Sequence, residues 1–117
     1  MPDAEQTVRA AYRAFNARDV ARAVELMHED VDWPNAWEGG RVVGRVAVME
    51  YWMRQFAAIT SWVEPEGFSE EPGGNITVDV HQVVSDARTG ELLSDVRVRH
   101  RYSMRDGLIA RMEVLEP

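Results

Sequence analysis

His100 is the side chain in this sequence best placed to move a proton. It lies in the run Val96-Arg97-Val98-Arg99-His100-Arg101-Tyr102-Ser103-Met104, where uncharged and charged residues alternate. In an extended strand that alternation puts Val96, Val98, His100, Tyr102 and Met104 on one face. Asp95, Arg97, Arg99 and Arg101 take the other, so His100 is expected to face the core. An imidazole ionises near pH 6.5 in water, which suits acid–base work at neutral pH. A preceding strand carries Asp79 and His81. If the hairpin around Arg88-Thr89-Gly90 has an even number of loop residues, Asp79 and His81 share the face of His100. One bulged residue reverses this. In the first register Asp79, His81, His100 and Tyr102 form a cluster. His100 would then be the general acid or base, Asp79 or Tyr102 would fix its tautomer, and Asn35 would hold a carbonyl or a water. The alternative is a hydrogen-bonded network in or beside the core that does no chemistry.

Composition narrows the classes. With 117 residues the chain is expected to form one domain over 1–117. A net charge of -7 argues against nucleic acid, which needs a basic face. Without cysteine there is no disulfide, thiolate nucleophile or zinc–sulfur site. The three histidines sit on different segments with no i, i+4 pair, so no metal is expected. Gly39-Gly40 and Gly73-Gly74 read as turns rather than phosphate cradles, and no cofactor is expected. No apolar run approaches the roughly 20 residues that span a bilayer. The first residues lack the pattern of a secretion signal, so a cytoplasmic location is expected.

The elements that must position His100 follow from periodicity. Val8, Ala11, Tyr12 and Phe15 mark one face of a first helix, with Asp3 as its N-cap. Asp19 caps a short second helix with Val20, Ala23, Val24 and Met27 inward and His28 near its end, in a structural or surface role. Val31, Trp33 and Asn35 alternate as a strand that Pro34 should keep short or at an edge. A third helix is expected from about Arg45 to Ile59, with Val48, Trp52, Phe56 and Ile59 as its buried stripe. The period then changes to two. Strands are expected over Trp62 to Glu70, Ile76 to Ser85, Leu92 to Met104 and Leu108 to Leu115, as an antiparallel meander. The order predicts an α+β domain, with helices on one face of a curved sheet. Aromatic residues are numerous for so small a domain. Trp33, Trp52, Phe56 and Tyr12 are expected to wall a pocket for a flat apolar ligand, with Tyr102 beside them.

The run from Tyr12 to Phe56, including Asn16-Ala17-Arg18-Asp19 and Asp32-Trp33-Pro34-Asn35, resembles the first half of NTF2-like proteins of the SnoaL and ketosteroid-isomerase type. The strand rhythm from Ile76 to Val114 resembles the second half. The resemblance implies an NTF2-like cone of three N-terminal helices packed on a curved, mixed, mainly antiparallel sheet, with a cavity, and a homodimer. It also implies where ketosteroid isomerase chemistry would sit, and that set is not retained. Its general-base position falls on Asn35, an amide that takes no proton at neutral pH. Its tyrosine position falls on Ala11, next to Tyr12, and its protonated-aspartate position falls on His100. Epoxide hydrolases of the same fold use an Asp-Arg-Asp network with Tyr and Asn; Asn35, Tyr12, Asp79 and Asp95 supply only pieces of it.

Besides a purely structural dimeric domain whose cavity is filled by side chains, two expectations result. One is a cofactor-free acid–base enzyme (isomerase, cyclase, hydratase, dehydratase or epoxide hydrolase) acting on a small hydrophobic metabolite. The other is a dimeric binding protein that uses the same pocket without catalysis.

Overall fold

The computed structural model describes residues 3–35 and 37–116. The first helix, α1 (Ala4–Asn16), starts at Asp3, whose carboxylate accepts from the Gln6 amide while the Gln6 side chain returns a bond to the Asp3 N–H. The second, α2 (Val20–Glu25), is capped by Asp19 and is shorter than the apolar spacing predicts. Met27 and His28 belong instead to β1 (Met27–Pro34), because Met27 pairs with Ile109 in a parallel ladder. A three-residue strand, β2 (Arg41–Val43), was not anticipated. It pairs with Asp32, Trp33 and Pro34. β1 is therefore interior rather than an edge, and Pro34 is tolerated because it closes the strand. Gly44 follows, its φ of 96° turning the chain into α3 (Arg45–Ala58) in a conformation that a side chain would disfavour.

The remaining chain is the expected meander: β3 (Ile59–Glu70), β4 (Ile76–Asp86), β5 (Leu92–Arg105) and β6 (Leu108–Leu115), with a short 3-10 turn at Pro72–Gly74. The sheet order is β2-β1-β6-β5-β4-β3, antiparallel except for the β1–β6 pair. The helices are thus not one N-terminal block, since β1 and β2 intervene before α3.

Packing is dense at one end of the strands and loose at the other. Ile76, Val78 and Val80 on β4 are fully buried, with Met27, Val31, Val8, Val48 and Ile109 around them. Further along β4 the inward residues Gln82 and Val84 are only half-buried, and Val96 on β5 is 44% exposed. The helices fill the narrow end of the curved sheet and leave the wide end hollow.

β3 is an edge strand, and α1 covers part of that edge through one side chain. The Asn16 amide donates to the Val63 carbonyl at 2.8 Å and accepts from the Val63 N–H at 3.0 Å. This imitates a strand partner and satisfies groups that would otherwise template pairing. Replacing Asn16 with Leu leaves both backbone groups unpaired in a half-buried setting. It should cost about 2 kcal/mol of stability, measured by urea denaturation.

Candidate functional site

The hollow end is a cavity of about 270 Å³ between α1, α3, β1 and the inner face of β3–β6. Trp33 and Trp52 stand edge-on in its wall, 5.5 Å between centroids, and Trp33 tilts against Tyr102 at 6.4 Å. Phe15, Tyr51, Met27 and Met112 complete the apolar surface, and Trp37, 43% exposed, reaches it from the β1–β2 loop. None of the described lining residues is Asp, Glu, Lys or Arg.

His100 lies in this wall, 6% exposed, brought inward by the parity of β5. From α1 the Tyr12 hydroxyl reaches its Nδ1 at 2.8 Å. The two rings lie nearly parallel, 9° apart with centroids at 6.0 Å, and Tyr102 stands edge-on to both. Burial lowers the His100 pKa to about 4, so the ring is neutral at pH 7. Burial, reinforced by the Tyr102 phenol, holds Tyr12 well above the ordinary tyrosine range, so its proton stays on. Burial likewise raises Tyr102. A phenol is the stronger donor and imidazole the stronger acceptor. That chemistry assigns the Tyr12 O–H as donor to Nδ1 and places the imidazole proton on Nε2. No described residue bonds Nε2, which opens to the cavity. The dyad thus presents a neutral N–H donor to any carbonyl or developing oxyanion seated there, with a second proton held behind it on Tyr12.

The other expected residues divide. Tyr12, Trp33, Trp52 and Tyr102 line the cavity as expected. Phe56 does not. It turns toward Phe15, 5.2 Å away, and lies under the Arg18 guanidinium at 4.4 Å. Asn35 is buried but occupied: its carbonyl oxygen accepts from the Glu38 N–H at 2.7 Å and its NH2 donates to the Glu38 carboxylate at 3.0 Å. Arg54 of α3 clamps the same carboxylate at 2.9 Å. With Arg54 as the larger cause and Asn35 next, the Glu38 pKa falls to about 2. Asn35 organises a loop rather than touching the cavity.

Asp79 and His81 are on the opposite face of the sheet from His100. The β4–β5 ladder pairs Asp79 with Arg99 and His81 with Arg97, because the register shifts between Val84 and Ser85 and leaves Leu93 as the extra residue on β5. Asp79 there accepts from Arg99 at 3.0 Å, and His81 bonds Asp95. The proposed four-residue cluster therefore reduces to His100 and Tyr102, joined by Tyr12. Among the described residues no three His, Asp or Glu side chains converge as metal ligands.

Sequence reasoning missed Tyr51, Gln55, Ser61, Gln82 and Ser94, all in the cavity wall. A signal existed for two of them. Gln55 falls three residues after Trp52 on the stripe of α3, and Ser61 alternates with Val63 on β3.

A helix-roofed curved sheet around an aromatic-walled cavity is the architecture of the NTF2-like proteins. The chain belongs to the SnoaL-like domain family, whose sequence model matches residues 8–112. No curated protein matches it. Among solved structures it is similar to an NTF2-like protein of unknown function from Burkholderia pseudomallei. That match has 23% identity and a TM-score of 0.85, covering 100% of this chain and 92% of the other. A putative polyketide cyclase from Sinorhizobium meliloti matches at 25% identity and a TM-score of 0.77, covering 97% and 94%. A Mycobacterium tuberculosis protein in complex with estradiol-17beta-hemisuccinate matches at 22% identity and a TM-score of 0.80, covering 92% and 88%. No helix among the described residues is long and apolar enough to cross a membrane.

The buried neutral imidazole has a pH signature. The unfolded chain binds a proton at His100 below about pH 6.5, whereas the folded chain resists it down to about 4. Stability from this group is complete above pH 6.5 and is lost as the pH falls toward 4. Wild type should lose about 3 kcal/mol over that window relative to His100→Gln, measured by denaturation at pH 7 and pH 4.

Proposed function

We propose that this protein admits a small, hydrophobic, carbonyl-bearing metabolite to the cavity and performs cofactor-free acid–base chemistry on it through His100. The observation that carries this reading is the Tyr12–His100 hydrogen bond, 2.8 Å, which leaves Nε2 open to an apolar enclosure. In that setting a fixed N–H donor stabilises an enolate or oxyanion far more than it would in water. Held by Tyr12, the Nε2–H can polarise a substrate carbonyl and steady the charge that develops on its oxygen, which suits an isomerisation, cyclisation or dehydration in which water or a basic group of the substrate itself carries the proton. The resemblance to a putative polyketide cyclase, and the steroid ester bound by the mycobacterial neighbour, support a flat polycyclic or aromatic substrate.

A second reading is favoured by a specific observation. Among the described residues no carboxylate lines the cavity, and the general-base position inferred from ketosteroid isomerases is Asn35, engaged with Glu38. A pocket without a strong base suits binding without turnover. We place the expected homodimer in the same proposal, formed through the outer face of the sheet, where Trp62 is half exposed. The arginines of that face find partners across strands within one chain, as Arg97 with Glu66 and Arg101 with Glu113.

Native mass spectrometry of freshly purified protein should reveal a co-purified neutral molecule and the dimer mass. With that molecule as substrate, His100→Ala should lower turnover by about a hundredfold or more. Tyr12→Phe should lower it by about tenfold while leaving affinity nearly unchanged. Absence of turnover in wild type, with affinity lost in His100→Ala, would establish the binding reading instead.

A further inference from the structure

Ser61 Oγ is the buried side-chain oxygen that finds no hydrogen-bond partner among the described residues. Ser61 is 1% exposed, points inward on β3 and lines the cavity. Gln55 on α3 stands in the same cavity wall and is largely buried; no described residue bonds its side-chain amide, which keeps access to open space. Leaving a hydroxyl unpaired in an apolar wall is destabilising, and Ala would fill the same place without that penalty. Such groups point to a partner that arrives from outside the chain.

Their position separates them from the His100 dyad. Ser61 lies across from Val84, and Val84 across from Ser94, which stands six residues before His100 on β5. The cavity therefore has polar atoms at two levels of its wall, with Trp33, Trp52 and Val63 forming apolar surface around them. At neither level is there a formal charge. The nearby cations are engaged elsewhere, Arg18 over Phe56 and Arg54 on Glu38. A charged group brought inside would lose its hydration and gain no counter-ion.

Resting on the reading of this cavity as a ligand site, we propose that Ser61 and Gln55 form a second polar anchor. The ligand is then an uncharged, flat molecule with hydrogen-bonding groups at two separated positions, one for His100 and one for Ser61 with Gln55.

The test uses three probes: biphenyl with a hydroxyl at the far end of each ring, its monohydroxy analogue, and the analogue with one hydroxyl replaced by carboxylate. Binding is followed through tryptophan fluorescence and checked by calorimetry. The diol should bind wild type, and the carboxylate analogue should bind at least tenfold more weakly. Ser61→Ala and Gln55→Leu should each weaken the diol by about fivefold to tenfold, and leave the monohydroxy probe within about twofold. The thermal midpoint of unliganded Ser61→Ala should be unchanged or raised, because it loses an unpaired hydroxyl. Equal weakening of both hydroxylated probes, no effect on the diol, or tight binding of the carboxylate would overturn the second anchor while leaving the cavity reading intact. Failure of every probe to bind wild type would remove the cavity reading, and the anchor with it.

Discussion

Along β5 every second side chain meets the helices, and the Tyr12 hydroxyl ties that inward row to α1 at His100. With Tyr12 as the donor, the bond needs both partners to be uncharged. Burial supplies that condition by lowering the imidazole pKa and raising the phenol pKa. The sheet's curvature, the placing of α1 over β3 and β5, and the aromatic wall all serve to keep water from this contact. If the histidine were charged, the apolar enclosure would become an unfavourable site for it, and the roof over the hollow would lose its anchor. Site and fold share one dependence on dryness.

Much of this was legible in the sequence. The strict alternation in β5 placed His100 and Tyr102 inward, and the caps at Asp3 and Asp19 located two helices. The alternation in β4 was equally clear, but its absolute facing was not. It depends on whether one residue in Leu92-Leu93-Ser94 is left out of the ladder, and both leucines are exposed, so neither the apolar nor the polar pattern marks the bulge. A single unpaired residue moved Asp79 and His81 to solvent. Phe56 fitted the helical stripe of α3, yet the end of that helix packs on Phe15 and beneath Arg18. Gln55 and Ser61 escaped notice for the opposite reason. Polar residues on an apolar stripe read as imperfections until the coordinates show a void beside them.

The two faces of the sheet follow opposite electrostatic rules. On the outer face Arg99 meets Asp79, Arg97 meets Glu66, and Arg111 and Arg41 share Asp32. Such exposed pairs contribute little each to stability, but they absorb the charges that strand parity would otherwise leave unmatched. Among the described residues the cavity wall carries none. The chain's acidic excess is therefore confined to surfaces in contact with water, and the interior is selective by desolvation rather than by attraction.

Asn35 has its own consequence. Its amide, Glu38 and Arg54 form a three-part clasp joining the loop that bears Trp37 to α3, at the exposed rim of the hollow. Because the clasp is ionic and open to solvent, dissolved salt screens it. Raising the ionic strength would then loosen the tie between this loop and α3, while the uncharged wall deeper in stays as it is. The amide at the general-base position of the ketosteroid isomerases thus ties a loop to a helix and stays out of the cavity wall.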